Sequence, residues 1–210
     1  MRRRQIVPLV LLLTAIAGCR GSSPTASSPT ASSPTASSPT ATSPSPVAEG
    51  VLSQPPADQG PCVVGFDELH VGGAAFATHA ACGLTIAAAA ASWQTSTTYG
   101  HPAPFVQFVS PGGTTTTGEI SVTAGGAPFA FVSVDIYSST TKIPYEINGL
   151  ANGATVFTIS SVQGNTFGNF ATIGNPRAAI AIDTLRIRLT NPAAPCCSNP
   201  VGLDNVRVIR

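Results

Sequence analysis

The sequence predicts an all-β domain, a single two-sheet sandwich, over residues 58–210. Three observations carry the prediction. Short runs of alternating or β-branched residues recur from Pro61 onward, the form that half-buried strands take in sequence. Gly, Pro and Asn separate the runs and supply turns. About ten such runs fall within roughly 150 residues, which is what two facing sheets need. A propeller would show repeated blades, and the sequence has none.

In chain order the expected strands are 63–69, 84–93, 105–110, 119–123, 129–137, 143–148, 155–160, 167–172, 182–190 and 203–209. Residues 87–91 are consecutive alanines, the best helix formers. The flanking Leu84-Thr85-Ile86 and Trp93-Gln94-Thr95 supply no cap and favour strand, so a strand is expected there. Asn148-Gly149 and Asn152-Gly153 tolerate positive φ and place a hairpin between the strands around them. Alternation puts Val132, Val134 and Ile136 on one face, with Ser133, Asp135 and Tyr137 on the other. By the same period Leu185, Ile187 and Leu189 point inward, and Arg186 and Arg188 outward.

Residues 1–57 are expected to lie outside that domain. Arg2-Arg3-Arg4 forms a positive start, and residues 6–17 form an apolar stretch containing Pro8. Twelve helical residues reach about 18 Å at ~1.5 Å each, short of a ~30 Å hydrocarbon core, so residues 1–18 read as a signal peptide and not a span. The closing Ile16-Ala17-Gly18-Cys19 resembles the lipobox of bacterial lipoproteins. That resemblance implies cleavage before Cys19, acylation of its thiol and an extracytoplasmic protein held on a membrane by its lipid. Residues 22–41 are four copies of Ser-Ser-Pro-Thr-Ala. No copy contains an aromatic or β-branched aliphatic residue to offset ordering entropy by burial, and residues 19–57 read as a disordered linker biased toward extended geometry.

Only 9% of the 210 residues are charged, at net +1, against roughly 25% charged in a typical soluble domain. A nucleic-acid partner is excluded, because it needs a dense cationic surface. From Asp58 on, six basic residues face eight acidic ones, about −2 overall. Arg186, Arg188, Arg207 and Arg210 could make a local basic strip toward an anionic wall polymer, but a solvated strand face guarded against edge pairing is the favoured explanation.

Beyond Cys19 the cysteines are Cys62, Cys82, Cys196 and Cys197, in a compartment where disulfides persist. If the first and last strands pair antiparallel, Cys82 approaches Cys196 and Cys197. The favoured pairing joins Cys62 and Cys82 each to one of that adjacent couple. The competing one joins Cys62 to Cys82 and leaves a vicinal Cys196-Cys197 bond. A zinc site is disfavoured, since adjacent cysteines lack the usual spacer.

His70, His79 and His101 match no metal motif, and no nucleophile elbow, phosphate loop or dinucleotide fingerprint is present. Glu119, Asp135, Glu146 and Asp183 are available as acids, but their spacing selects no pair for glycoside hydrolysis.

One constellation is more informative. Phe66-Asp67-Glu68-Leu69 closes the first strand, and Gly202-Leu203-Asp204-Asn205-Val206-Arg207-Val208 makes the last. These segments resemble the galactose-binding-like jelly roll of secreted bacterial proteins and carbohydrate-binding modules, and a group of uncharacterised exported domains with the same Asp-Asn-Val ending. The resemblance implies paired terminal strands, a structural calcium held by Asp67 or Glu68 and Asp204, and a glycan or envelope polymer as ligand. Sugar faces pack on aromatic rings, so Trp93, Tyr99, Tyr137 and Tyr145 are the candidate ligand contacts. The expected function is non-catalytic binding, with a glycoside-directed hydrolase or a purely structural surface protein as alternatives.

Overall fold

The computed structural model describes residues 60–101, 103–110, 114–192 and 199–210. The expected signal peptide and linker, with Cys19, and the Cys196-Cys197 couple lie outside the described residues. Among the described residues fourteen strands run β1 Pro61–Val64, β2 Ala75–Phe76, β3 Thr78–Ala81, β4 Leu84–Ala90, β5 Trp93–Ser96, β6 Phe105–Ser110 and β7 Thr116–Thr123. They continue as β8 Phe129–Ser138, β9 Ile143–Ala151, β10 Ala154–Gln163, β11 Phe170–Gly174, β12 Ala181–Ile182, β13 Thr184–Asn191 and β14 Asn199–Ile209.

The strands form two antiparallel sheets, as the alternation predicts. One has the order β11-β8-β14-β6-β5-β2, with β1 also on β14 and β12 also on β8; the other is β10-β9-β13-β7-β4-β3. Their inner faces make one apolar core that includes Val64, Phe66, Ile86, Phe108, Ile120, Ile136, Ile147, Ile187, Leu203 and Val206. The sheets approach closely at Gly118 of β7, where an added Cβ would lie 2.6 Å from the Phe108 ring and 2.9 Å from Trp93.

The chain departs from the expected strands where a residue takes the left-handed conformation. Residues 84–93 are not one strand: Ala91, at φ 64°, turns the chain out of β4 in the smaller sheet and into β5 in the larger. Trp93 Nε1 donates to the Ala90 carbonyl across that corner at 2.8 Å. The β9–β10 turn uses Asn152 and Gly153, at φ 51° and 78°, whereas Asn148 and Gly149 lie inside β9. The first strand stops at Val64, because 66–69 forms a turn closed by Leu69 N–H on the Phe66 carbonyl at 2.8 Å. Strands β2 and β3 have few β-branched residues to signal them.

In β8 both faces are buried. Val208 pairs with Phe131 while Arg207 pairs with Ser133, so Val132 bulges and both Phe131 and Val134 face the core. Ser133, Asp135 and Tyr137 share the outward face, yet all three are buried by what lies over it.

Candidate functional site

Terminal strands β1 and β14 pair antiparallel, Val64 opposite Val206. The same edge of β14 receives β6 farther up, Leu203 opposite Val106. Between those stretches lie Asp204 and Asn205, and Asn205 has φ 48°. This gap in the pairing admits the chain leaving β1. A Cβ on Gly65 would stand 3.4 Å from Asp67 Oδ2, 3.7 Å from Asn205 Oδ1 and 3.8 Å from Asp204 Oδ1. Three side-chain oxygens therefore surround a space that glycine leaves open.

Its charge balance is unusual. Asp204 is buried, and burial first, then the charges of Asp67 and Asp135, push its carboxyl up to about 7 against the lowering effects of the Asn205 N–H and Arg207. Its Oδ1 accepts the Asn205 backbone N–H at 2.8 Å. Burial also raises Asp135, but hydrogen bonds from Arg207, Thr172 and Asn205, together with the Arg207 charge, outweigh it and hold Asp135 below the ordinary carboxylate value. Arg207 grips Asp135 with both terminal nitrogens, at 3.0 and 3.1 Å. Asn205 Nδ2 donates to Asp135 at 3.0 Å, so its amide oxygen is the end turned to the cradle.

The outward face of the larger sheet carries the second feature. Gln94, Gln107, Gly202, Tyr137 and Phe170 form one cross-strand row through β5, β6, β14, β8 and β11. Phe105 packs on Tyr137 at 4.7 Å between ring centroids and edge-on to Phe170 at 5.3 Å. Gly100 lies against these rings: it has φ 86°, and a Cβ there would be 2.8 Å from Phe105 and 3.2 Å from Phe170. To one side a polar groove of about 380 Å³ is lined by Gly72, Gly73, Gln94, Ser96, Thr97 and Gln107, among others. To the other a cavity of about 180 Å³ is formed by Tyr99, Tyr137, Ser139 and Pro200. Among the described residues no charged side chain lines either. Gln107 is buried and its Oε1 meets no donor among the described residues.

No family model and no curated protein matches this chain. Solved structures similar to it include three carbohydrate-binding modules. The family 29 module CBM29_1 from Piromyces equi is 9% identical, with TM-score 0.43 over 73% of this chain and 93% of that one. TmCBM61, solved with β-1,4-galactotriose, is 12% identical, with TM-score 0.38 over 60% of this chain and 88% of that one. The CBM36-1 domain of a multidomain xylanase from the hindgut metagenome of Trinervitermes trinervoides is 12% identical, with TM-score 0.33 over 71% and 96%.

The structure sorts the residues singled out from sequence. Asp67 and Asp204 converge, but Glu68 does not join them: its Oε1 lies 3.1 Å from His79 Nε2, out of hydrogen-bond alignment. No three of His, Cys, Asp and Glu gather on one point among the described residues, and the cradle reaches three oxygens only through Asn205. Tyr99 and Tyr137 share a cavity, Tyr99 68% exposed and Tyr137 buried beneath it. Trp93 is no platform: it is buried against Phe108 with ring centroids 4.8 Å apart, since the Ala91 corner starts β5 with that side chain inward. Tyr145 packs partly buried against the core on the other sheet.

The favoured cysteine pairing is corrected, and the basic strip, the lesser alternative for the arginines, is not seen among the described residues. Cys62 bonds Cys82 and neither bonds the 196–197 couple, because the tight β3–β4 turn at Cys82-Gly83 reaches β1 itself. The arginines form no strip: Arg186 and Arg188 face Glu119 on the smaller sheet, Arg207 holds Asp135 on the larger, and Arg210 donates to the Cys82 carbonyl. Phe167, 79% exposed in the β10–β11 loop, was not among the sequence candidates, because 167–172 reads as strand.

Proposed function

We propose that the protein is a non-catalytic glycan-binding β-sandwich held on the outer side of a bacterial membrane. In this reading Cys19 carries the lipid and residues 19–57 stand the domain away from the surface. The ligand lies on the outward face of the larger sheet, across the Gln107 groove and against Tyr99. One observation carries the reading: Tyr99, 68% exposed, lines an uncharged cavity beside an uncharged groove whose wall includes Gln94 and Gln107. Amides and hydroxyls without formal charge suit the hydroxyls of a neutral sugar. Tyr99 offers an exposed ring for the apolar face of the same sugar.

The Gly65 cradle fits a hard cation, and we assign calcium to it. Asp67, Asp204 and Asn205 would hold the ion, with backbone and water oxygens completing its usual six to eight ligands. Its role is to neutralise the facing carboxylates and pin β1 to β14. A hydrolase reading would need two carboxylates in a cleft; neither Asp135 nor Asp204 lines the groove or the Tyr99 cavity.

A screen of the full mature chain against soluble glycans and envelope fragments tests the reading. Binding to a neutral polymer is expected, with Gln107→Ala and Tyr99→Ala each weakening it by about tenfold. Binding that survives both substitutions, or no binding at all, overturns the assignment. Cys19→Ser should leave the chain off the membrane; unchanged membrane retention overturns the anchor.

A further inference from the structure

We infer that Phe167 is a second aromatic contact of the glycan site, which therefore takes a chain of neutral sugars and not a single ring. This rests on the glycan reading above and extends it to a residue outside the Gln107 groove and the Tyr99 cavity. Exposure alone would mean little, since single apolar side chains on a surface are ordinary. What needs a cause is the backbone. Phe167 has φ 53°, a left-handed conformation that a bulky aromatic rarely adopts.

Hydrogen bonds hold it there. Its own N–H donates to Asn165 Oδ1 at 2.8 Å. The neighbouring Thr166 Oγ1 accepts from Ser138 N–H and donates to the Ser138 carbonyl, both at 2.8 Å. Gly168 N–H reaches the same carbonyl at 3.0 Å. Ser138 is fully buried at the end of β8, so the loop is clamped to the rigid sheet. Strain retained by such a frame marks positions where presentation of the side chain matters. Here the side chain presented is the most exposed large hydrophobic residue among those described.

Its place gives the chemistry. Ser138 lies between Tyr137 and Ser139, and both line the Tyr99 cavity. Phe170, three residues after Phe167, stacks beneath on Tyr137 at 5.6 Å between ring centroids. The loop that carries Phe167 is thus bonded to the residue between two that line a cavity of about 180 Å³, roughly six waters' worth at ~30 Å³ each, which suits one sugar ring. Two exposed aromatics beside an uncharged cavity fit successive apolar sugar faces. Anionic sugars would find no counter-charge there.

The test is affinity and thermal stability of the full mature chain, with Phe167→Ala, Phe167→Gly and Phe167→Tyr. The probes are cellohexaose, xylohexaose and mannohexaose, each beside its monosaccharide. For the hexaose that binds, Phe167→Ala and Phe167→Gly should weaken affinity tenfold or more and leave monosaccharide affinity unchanged; Phe167→Tyr should retain hexaose affinity. Phe167→Gly should also raise the melting temperature, since glycine takes this φ freely, whereas a merely structural phenylalanine would lower it on removal. If the wild type binds a hexaose and Phe167→Ala binds it equally, this inference falls and the glycan reading stands. If the wild type binds no hexaose and no envelope polymer, both fall.

Discussion

Asp204 and Asp135 stand opposite each other across β14 and β8, and their carboxyls are driven in opposite directions. Both are buried, so the difference lies in their partners. Arg207, Thr172 and Asn205 all donate to Asp135, whereas Asp204 receives the Asn205 N–H alone and faces the charges of Asp67 and Asp135. One member of the pair is kept ionised and the other is kept short of a counter-charge.

A pH dependence follows in the absence of divalent cations. The folded Asp204 value of about 7 lies above the unfolded ~3.9, so the native state binds more protons between them and stability falls as pH rises from about 4 to 7. The fall is on the order of 4 kcal/mol. Asp135 has the opposite sign: its stabilisation is present above the unfolded value and is lost as pH drops through its lowered folded value. Urea melts in EDTA should therefore be steepest to lose stability between pH 5 and 7, and Asp204→Asn should flatten that limb. A wild-type limb already flat there would contradict the carboxylate geometry.

Calcium should remove the same limb. An ion in the cradle favours the ionised Asp204, so excess calcium should raise the unfolding free energy most above pH 6, by ~2.7 kcal/mol at a hundredfold excess over Kd. Asp67→Ala and Asp204→Asn should abolish the response, and Glu68→Gln should not, because Glu68 is turned toward His79. A response lost with Glu68 would mean the cradle is wrongly drawn.

The difference between Asp67 and Glu68 shows how far the sequence could be read. Both sit in one tetrapeptide, and nothing in periodicity says which carboxylate meets Asp204 once β1 stops at Val64. Strand-forming runs such as Phe105–Ser110 were legible to the residue, because alternation and β-branching are local signals. The corners were not. Ala91 and Phe167 take left-handed φ without being Gly or Asn, and that is imposed by the sheets and the Ser138 clamp. Trp93 therefore faces the core, and Phe167 sits in a loop where the local pattern reads as strand.

The Cys62–Cys82 bond spans 20 residues and ties β1 of the larger sheet to the β3–β4 turn of the smaller. Closing a loop of that length restricts the unfolded chain by about 3 kcal/mol. Replacing both cysteines with serine should lower stability by that amount in urea and leave glycan affinity unchanged, since the bond lies away from the Tyr99 cavity. A loss of affinity at full folding would require the bond to act on the binding face.

Strand β10 is an edge strand that is mostly exposed, and Phe157 is its one fully buried side chain. That ring lies across the ladder from Gly149, and a Cβ on Gly149 would fall among its atoms. The glycine is thus the floor on which the edge strand is anchored. Gly149→Ala should push the ring off its seat and cost upward of ~2 kcal/mol, and Phe157→Ala should cost ~3–5 kcal/mol. Both changes remove the same contact, so the double variant should lose markedly less than the two single losses combined, a coupling that urea melts of all four proteins measure. Additive losses would show that Phe157 anchors β10 by some route other than Gly149.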